Sequence, residues 1–159
     1  MKPITDSLAS LLNAQASREL GNSILYRHFA SWAHVRGLKN IAKFFQGESD
    51  GELGHAKMLT DLLNDGNVQI AFTDIPQKPY DLRDCKTISE LYADAEVETT
   101  DHLDDIYRAA EAEGNVGVSN MIKSMLQEQV EEQGLTERFK APVEQANGNL
   151  SLLDLMLND

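Results

Sequence analysis

Apolar residues recur every three or four positions along four long stretches of the chain, and the recurrence stops where glycine, asparagine or proline gather. That spacing predicts amphipathic helices. The first runs from an N-cap at Thr5 or Asp6 to about Arg36, with Gly37 placed to close it. The second covers Leu38 to Asn64 and stops at Asp65-Gly66-Asn67. The third begins near Thr87 or Ser89, where Glu90 and Asp94 favour the helix dipole, and ends at Gly114-Asn115. The fourth extends from Val116 or Gly117 to Lys140, and Pro142 argues against simple continuation. Beyond Asn147-Gly148-Asn149, residues 150–157 form a short, very apolar fifth helix that is too short to stand alone in water and needs a surface to dock on. No strand alternation and no repeat of fixed period occur in the sequence.

Between the second and third helices lie about twenty residues without helical periodicity, including Ile75-Pro76-Gln77-Lys78-Pro79-Tyr80. A connection of that length predicts a crossover along the bundle. The expected architecture is all-α: an antiparallel four-helix bundle over about 5–140, a long crossover and a short C-terminal helix, in one domain spanning 1–159.

The inward stripes are polar in the middle. On the second helix the seam reads Ile41, Phe45, Glu48, Glu52, His55, Leu59, Leu62. The third places Ile88, Tyr92, Ala95, Leu103, Ile106 and Ala110 inward, with Glu96 on the same side. Glu128, Gln129 and Glu132 interrupt the stripe of Val118, Met121, Ile122, Met125, Leu135 and Phe139 on the fourth. Glu19 and Tyr26, seven apart, share a face of the first. Charge on an inward face is costly unless it is paired or holds a metal. Carboxylates from four helices, with an Glu-x-x-His pair at Glu52 and His55, form the donor set of di-metal carboxylate bundles. Mixed oxygen and imidazole donors suit Fe(II), with Mn or Zn as competitors.

Composition narrows the partners. With 14 basic and 26 acidic residues the net charge is −12, which repels nucleic acid and anionic membrane and favours cations. No stretch approaches the ~20 apolar residues of a membrane span. The first residues have no apolar signal core, and a single cysteine, Cys85, read as a small residue of the crossover, fits a reducing compartment. A cytoplasmic location is the expectation.

The segments Leu12-Asn13-Ala14-Gln15 through Glu19 to Tyr26, Glu48 through Glu52 to His55, and Leu126-Gln127-Glu128-Gln129-Val130-Glu131-Glu132 resemble those of the ferritins, in particular the heme-free bacterial and animal type. The resemblance covers nearly the whole chain. It implies a ferroxidase that oxidises Fe(II) with O2 (or H2O2) at a di-iron centre and stores the Fe(III) product in a homo-oligomeric cage of 24 chains. By the same resemblance, Glu19, Glu52 and His55 hold the first iron with Glu52 bridging. Glu96 and Glu132 complete the second, Gln129 stands beside it, and Tyr26 is an electron donor or hydrogen-bond partner. Counting back from Glu128 selects Glu96 on the third helix, whereas counting from the helix start falls nearer Glu98 or Thr99; Glu98 is the reserve.

The sequence also departs from the pattern it resembles. The fourth helix has Glu131 three residues after Glu128, where heme-binding relatives have a second Glu-x-x-His, and Leu53 follows Glu52 where they carry the heme-ligating methionine. No heme is expected. Gly51 replaces an acidic residue that feeds a third iron site in many ferritins, leaving Glu128, Glu131 and Glu48 as third-site candidates. The start of the fourth helix, Val118-Ser119-Asn120-Met121-Ile122, lacks the carboxylates of acidic three-fold channels, so a different or slower uptake route is predicted. Two other readings use the same residues: a discrete di-metal carboxylate oxidoreductase that stores no iron, and a structural subunit without oxidation chemistry. His28, His34 and His102 are read as surface residues.

Overall fold

The chain folds into five helices: α1 (Asp6–His34), α2 (Lys39–Asp65), α3 (Cys85–Ala112), α4 (Val116–Ala146) and α5 (Leu150–Met156). The structure, a computed structural model, describes every residue except Met1, Pro76, Lys78, Pro79 and Asp159. Among the described residues there is no strand, and no helix is long and apolar enough to cross a membrane. The all-α bundle expected from periodicity is the observed one.

α1 and α2 pair as one antiparallel hairpin, α3 and α4 as another, and α1 also packs along α3. The crossover runs alongside α1 in the same direction, pinned at successive points. Asn13 Oδ1 accepts from the Ala71 amide (2.8 Å) and Ser17 Oγ from the Thr73 amide (2.9 Å). Further along, His28 bonds the Tyr80 hydroxyl, and Trp32 Nε1 donates to the Leu82 carbonyl (2.7 Å). Gly21 lets the crossover lie close, since a Cβ there would stand 3.2 Å from Ile75 Cγ2. Pro76, Lys78 and Pro79 of the expected crossover motif lie outside the described residues.

Helix ends follow local chemistry. Thr5 caps α1 by accepting from the Leu8 amide (3.2 Å), and Gly37, at φ 75°, turns the chain into α2. The start of α3 is earlier than its sequence pattern indicates. Asp84 is the cap, accepting from the Thr87 amide (2.8 Å) and hydroxyl (2.9 Å), so Cys85 opens the helix and is buried rather than sitting in the loop. Burial pushes its thiol up to about 11.

The expected end of α4 at Lys140 is also corrected, because the helix continues through Pro142 to Ala146. An internal proline costs roughly 3 kcal/mol. Here Val143 and Ala146 pack into the same apolar cluster as Leu150 and Leu153, so tertiary burial outweighs the lost backbone bond. The helix then ends on Asn147, left-handed at φ 45°.

The fifth helix docks on its own bundle. Leu153 is buried, and Asp154 Oδ1 accepts from the Asn40 (3.0 Å) and Ile41 (2.9 Å) amides. It thereby caps the N-terminus of α2, whose own cap position, Leu38, offers no side-chain acceptor.

Two apolar cores result. One gathers Tyr26, Phe29, Trp32, Phe45, Tyr92 and Phe139 near α5. The other gathers Leu8, Leu12, Leu59, Leu63, Ile106 and Ile122 toward the opposite end, with Leu63 taking the buried place that the sequence pattern gave to Leu62. Glu19, Ser49, Glu52, Glu96, Thr99 and Gln129 are buried polar residues that belong to neither core.

Candidate metal centre

Three long helices place a carboxylate inside the bundle: Glu19 on α1 (0% exposed), Glu52 on α2 (4%) and Glu96 on α3 (2%). Single helical turns set the local geometry. Gln15, four residues before Glu19, donates from Nε2 to Glu19 Oε1 (2.7 Å). His55, three residues after Glu52, sets Nδ1 3.0 Å from Glu52 Oε2 and 4.0 Å from Glu19 Oε2. One donor atom from each of Glu19, Glu52 and His55 lies within 4.8 Å of the others, the only such group of three among the described residues. The second ring nitrogen of His55 lies 3.2 Å from Glu128 Oε2, which reaches in from α4 with its side chain 46% exposed.

An adjoining layer is built around Glu96. Its carboxylate accepts from the Tyr26 hydroxyl and from Gln129 Nε2 (3.0 Å). Glu48, one turn before Glu52, accepts from the Tyr92 hydroxyl (2.6 Å) and has Glu132 as its charged neighbour. Tyr26 and Tyr92 meet edge to face with centroids 5.3 Å apart.

Electrostatics in this layer are strained. Burial, then the neighbouring Glu52 charge, holds the Glu19 carboxyl well above the usual range. Burial likewise pushes Glu52 up to about 8, with the Glu96 and Glu132 charges adding to it. Glu132 is pushed up to about 7 by burial and the charges of Glu48 and Glu96. Burial and the Glu96 charge raise Glu48, and the same two causes raise the Tyr26 phenol. Carboxylates so placed are stabilised by gaining protons or a cation.

One atom tests the fit to a cation directly. Glu19 Oε2 is buried and has no hydrogen-bond partner in the protein, although an unsatisfied buried acceptor costs about 1–3 kcal/mol. It faces the Glu52 and His55 donors, and carboxylate with imidazole is a donor set for a divalent first-row metal.

The expected residues therefore divide. Glu19, Glu52, His55, Glu96, Gln129 and Tyr26 converge in the polar layer, with Glu132 at its edge, while Glu98 is exposed on the other side of α3. The three third-site candidates go separate ways: Glu48 toward Tyr92 and Glu132, Glu128 toward His55, and Glu131 into solvent. His28 and His34 are exposed, but His102 is half-buried, lining a groove between α1 and α3.

Sequence reasoning missed Asn22, whose Nδ2 lies 3.4 Å from Glu52 Oε1 and 3.0 Å from Thr99 Oγ1. Its signal was present, three residues after Glu19 and four before Tyr26 on the same stripe. Gln15 carried a similar signal. Tyr92 was read only as core, and its bond to Glu48 depends on how α2 and α3 face each other, which spacing within one helix does not encode.

A family model described as a ferritin-like domain matches residues 9–139. The chain is 23% identical to a probable bacterial non-heme ferritin-like protein of Haemophilus influenzae, over 83% of its own length and 80% of the relative's. It is 22% identical to the bacterial non-heme ferritin of Campylobacter jejuni, over 91% of its length and 89% of that protein's. Its fold is similar to that of an open-pore ferritin from the hyperthermophilic archaeon Archaeoglobus fulgidus, with a TM-score of 0.91 at 22% identity, covering 99% of this chain and 98% of that one.

Proposed function

The chain belongs to the ferritin family, and from that premise we infer that it is an iron-storage ferroxidase, taking Fe(II) as substrate, oxidising it with O2 and retaining the Fe(III) product. The observation that carries this reading is the group of buried Glu19 and Glu52 with half-buried His55, into which the unpartnered oxygen of Glu19 points. In this reading Glu19 and His55 bind the first Fe(II), Glu52 bridges to the second, and Glu96 and Glu132 hold the second. Gln129 and Tyr26 orient Glu96 through the bonds they donate to it.

The carboxyl protons favoured by burial leave as the dication arrives, so the layer exchanges like-charge repulsion for metal–oxygen attraction. Anionic oxygen donors then favour the harder Fe(III). Each pair of Fe(II) ions gives up two electrons, and O2 takes them with two protons to become H2O2. Glu128, half-exposed and bonded to His55, gives the ferric product a carboxylate on its way out of the bundle. Storage needs a container, and a homo-oligomeric cage of 24 such chains is the assembly this reading entails. The acidic charge of −12 suits cation traffic, and a lone buried cysteine suits the cytoplasm.

Aerobic loading tests the function. Fe(II) added well beyond two ions per chain, followed by gel filtration with particle mass and co-eluting iron measured together, is expected to give a large shell retaining far more iron than its ligands can bind. A small oligomer that stops near two irons per chain would instead identify a discrete di-metal oxidoreductase. Glu52→Ala and His55→Ala are expected to abolish rapid oxidation, and unchanged rates in both would remove this centre from the mechanism.

A further inference from the structure

The polar layer is approached from outside along a groove between α1 and α3, over which the crossover lies. Its cavity measures about 230 Å³. A water needs roughly 10–15 Å³ of such space, so a hydrated cation fits. The groove is lined by the carboxylates of Asp74, Asp94 and Glu98, against Arg18 and the imidazole of His102. Asn22 and Thr99 also line it, the latter 3% exposed. Asn22 Nδ2 donates to Thr99 Oγ1 (3.0 Å) and lies 3.4 Å from Glu52 Oε1. Asn22 thus lines the outer groove and touches the Glu19–Glu52–His55 group at once.

We propose that the groove between α1 and α3 admits the divalent cation to the buried centre, and that Asn22, latched to Thr99, is its gate. The inference rests on the reading of Glu19, Glu52 and His55 as metal ligands. Two features favour this side. Opposite, the group is closed by His55, held between Glu52 and Glu128, so opening there displaces a ligand. Asn22 can swing aside by releasing its hydrogen bond to Thr99 and its longer one to Glu52 Oε1, without disassembling the donors. The carboxylates lining the groove also raise the local concentration of cations above the gate.

Two substitutions at the gate separate passage from affinity. Asn22→Ala removes the plug and Asn22→Leu replaces it with an apolar side chain of similar shape; both lose the same contact with Glu52. The probe is Co(II), which is stable to O2 and reports binding through its visible absorption, followed by stopped flow on the full chain. The alanine variant is expected to bind faster than the leucine variant by about tenfold, within the spread that on-rates show across variants of one site. Both are expected to reach the same number of Co(II) ions per chain. Asp94→Asn, at an exposed position, is expected to slow binding roughly twofold at low ionic strength and not at high, where screening removes the attraction.

Equal rates for the two Asn22 variants, with wild-type binding intact, would overturn the gate. Should either variant misfold by circular dichroism, Asp94→Asn decides: a rate unchanged at low salt overturns the route. Failure of the underlying centre looks different, as wild-type Co(II) binding that Glu52→Gln and His55→Ala leave unaltered.

Discussion

Replacing Glu52 by glutamine should make the metal-free protein more stable while removing its response to metal, and the size of the effect follows from burial. The Glu52 carboxyl is raised from 4.5 to about 8. A group that holds its proton more tightly when folded contributes stability below its unfolded value and loses it as pH rises through its folded value. The loss for Glu52 therefore runs from about pH 4.5 to about pH 8. At about 1.36 kcal/mol per pH unit, the buried Glu52 carboxyl, half ionised at pH 8, has by then cost on the order of 4 kcal/mol. Glutamine keeps the shape, still accepts from Asn22 and can donate to Glu19, with no charge to bury. In a chain of this length each kcal/mol moves the melting temperature by about 2–4 °C, so Glu52→Gln is expected to melt roughly 8–16 °C higher at pH 8 in chelator. Scanning calorimetry at one scan rate reads this directly. At pH 4.5 the difference between variant and wild type should vanish. With Co(II) at saturating concentration the order should reverse, because only the wild type gains full binding free energy. A variant melting at or below the wild type at pH 8 in chelator would refute the account of a centre poised by buried, like-charged carboxylates.

Other substitutions probe single contacts. Tyr26→Phe strips a donor from buried Glu96 and is expected to lower stability in chelator by about 1–3 kcal/mol, measured by urea denaturation. Asp154→Ala removes the acceptor that caps α2 from α5 and is expected to lower stability by about 0.5–2 kcal/mol, with Asp154→Asn recovering part of it. An unchanged denaturation midpoint in Asp154→Ala would mean that the cap is replaced by solvent.

Much of this arrangement is legible in one dimension. Heptad-like spacing alone puts Glu52 and His55 on the inner side of α2 and Glu19 with Tyr26 on that of α1. It also makes Glu96 the inward acid of α3 rather than Glu98. What escapes is set by contacts between distant segments. Pro142 reads as a stop because the local rule is sound, and only the packing of Val143 and Ala146 against the fifth helix overrides it. In Asp84-Cys85-Lys86-Thr87 two residues are competent caps; Asp84 takes the role, accepting from both the amide and the hydroxyl of Thr87. The bond from Tyr92 to Glu48 and the latch from Asn22 to Thr99 join helices that meet only after the crossover has been placed.

The separation of the apolar interior into two cores by a charged layer has a consequence for cooperativity. Each core is expected to open without uncovering the other, although the four long helices run through both, because the layer between them gains little from staying closed when its carboxylates are ionised. Amide exchange in chelator at pH 8 should then resolve two protected blocks, one around Phe45 and Phe139 and one around Leu12 and Leu59, with faster exchange where they meet. A cation drawing Glu19, Glu52 and His55 together would fasten the blocks to each other. The protein would then unfold as one unit when loaded and as two when stripped.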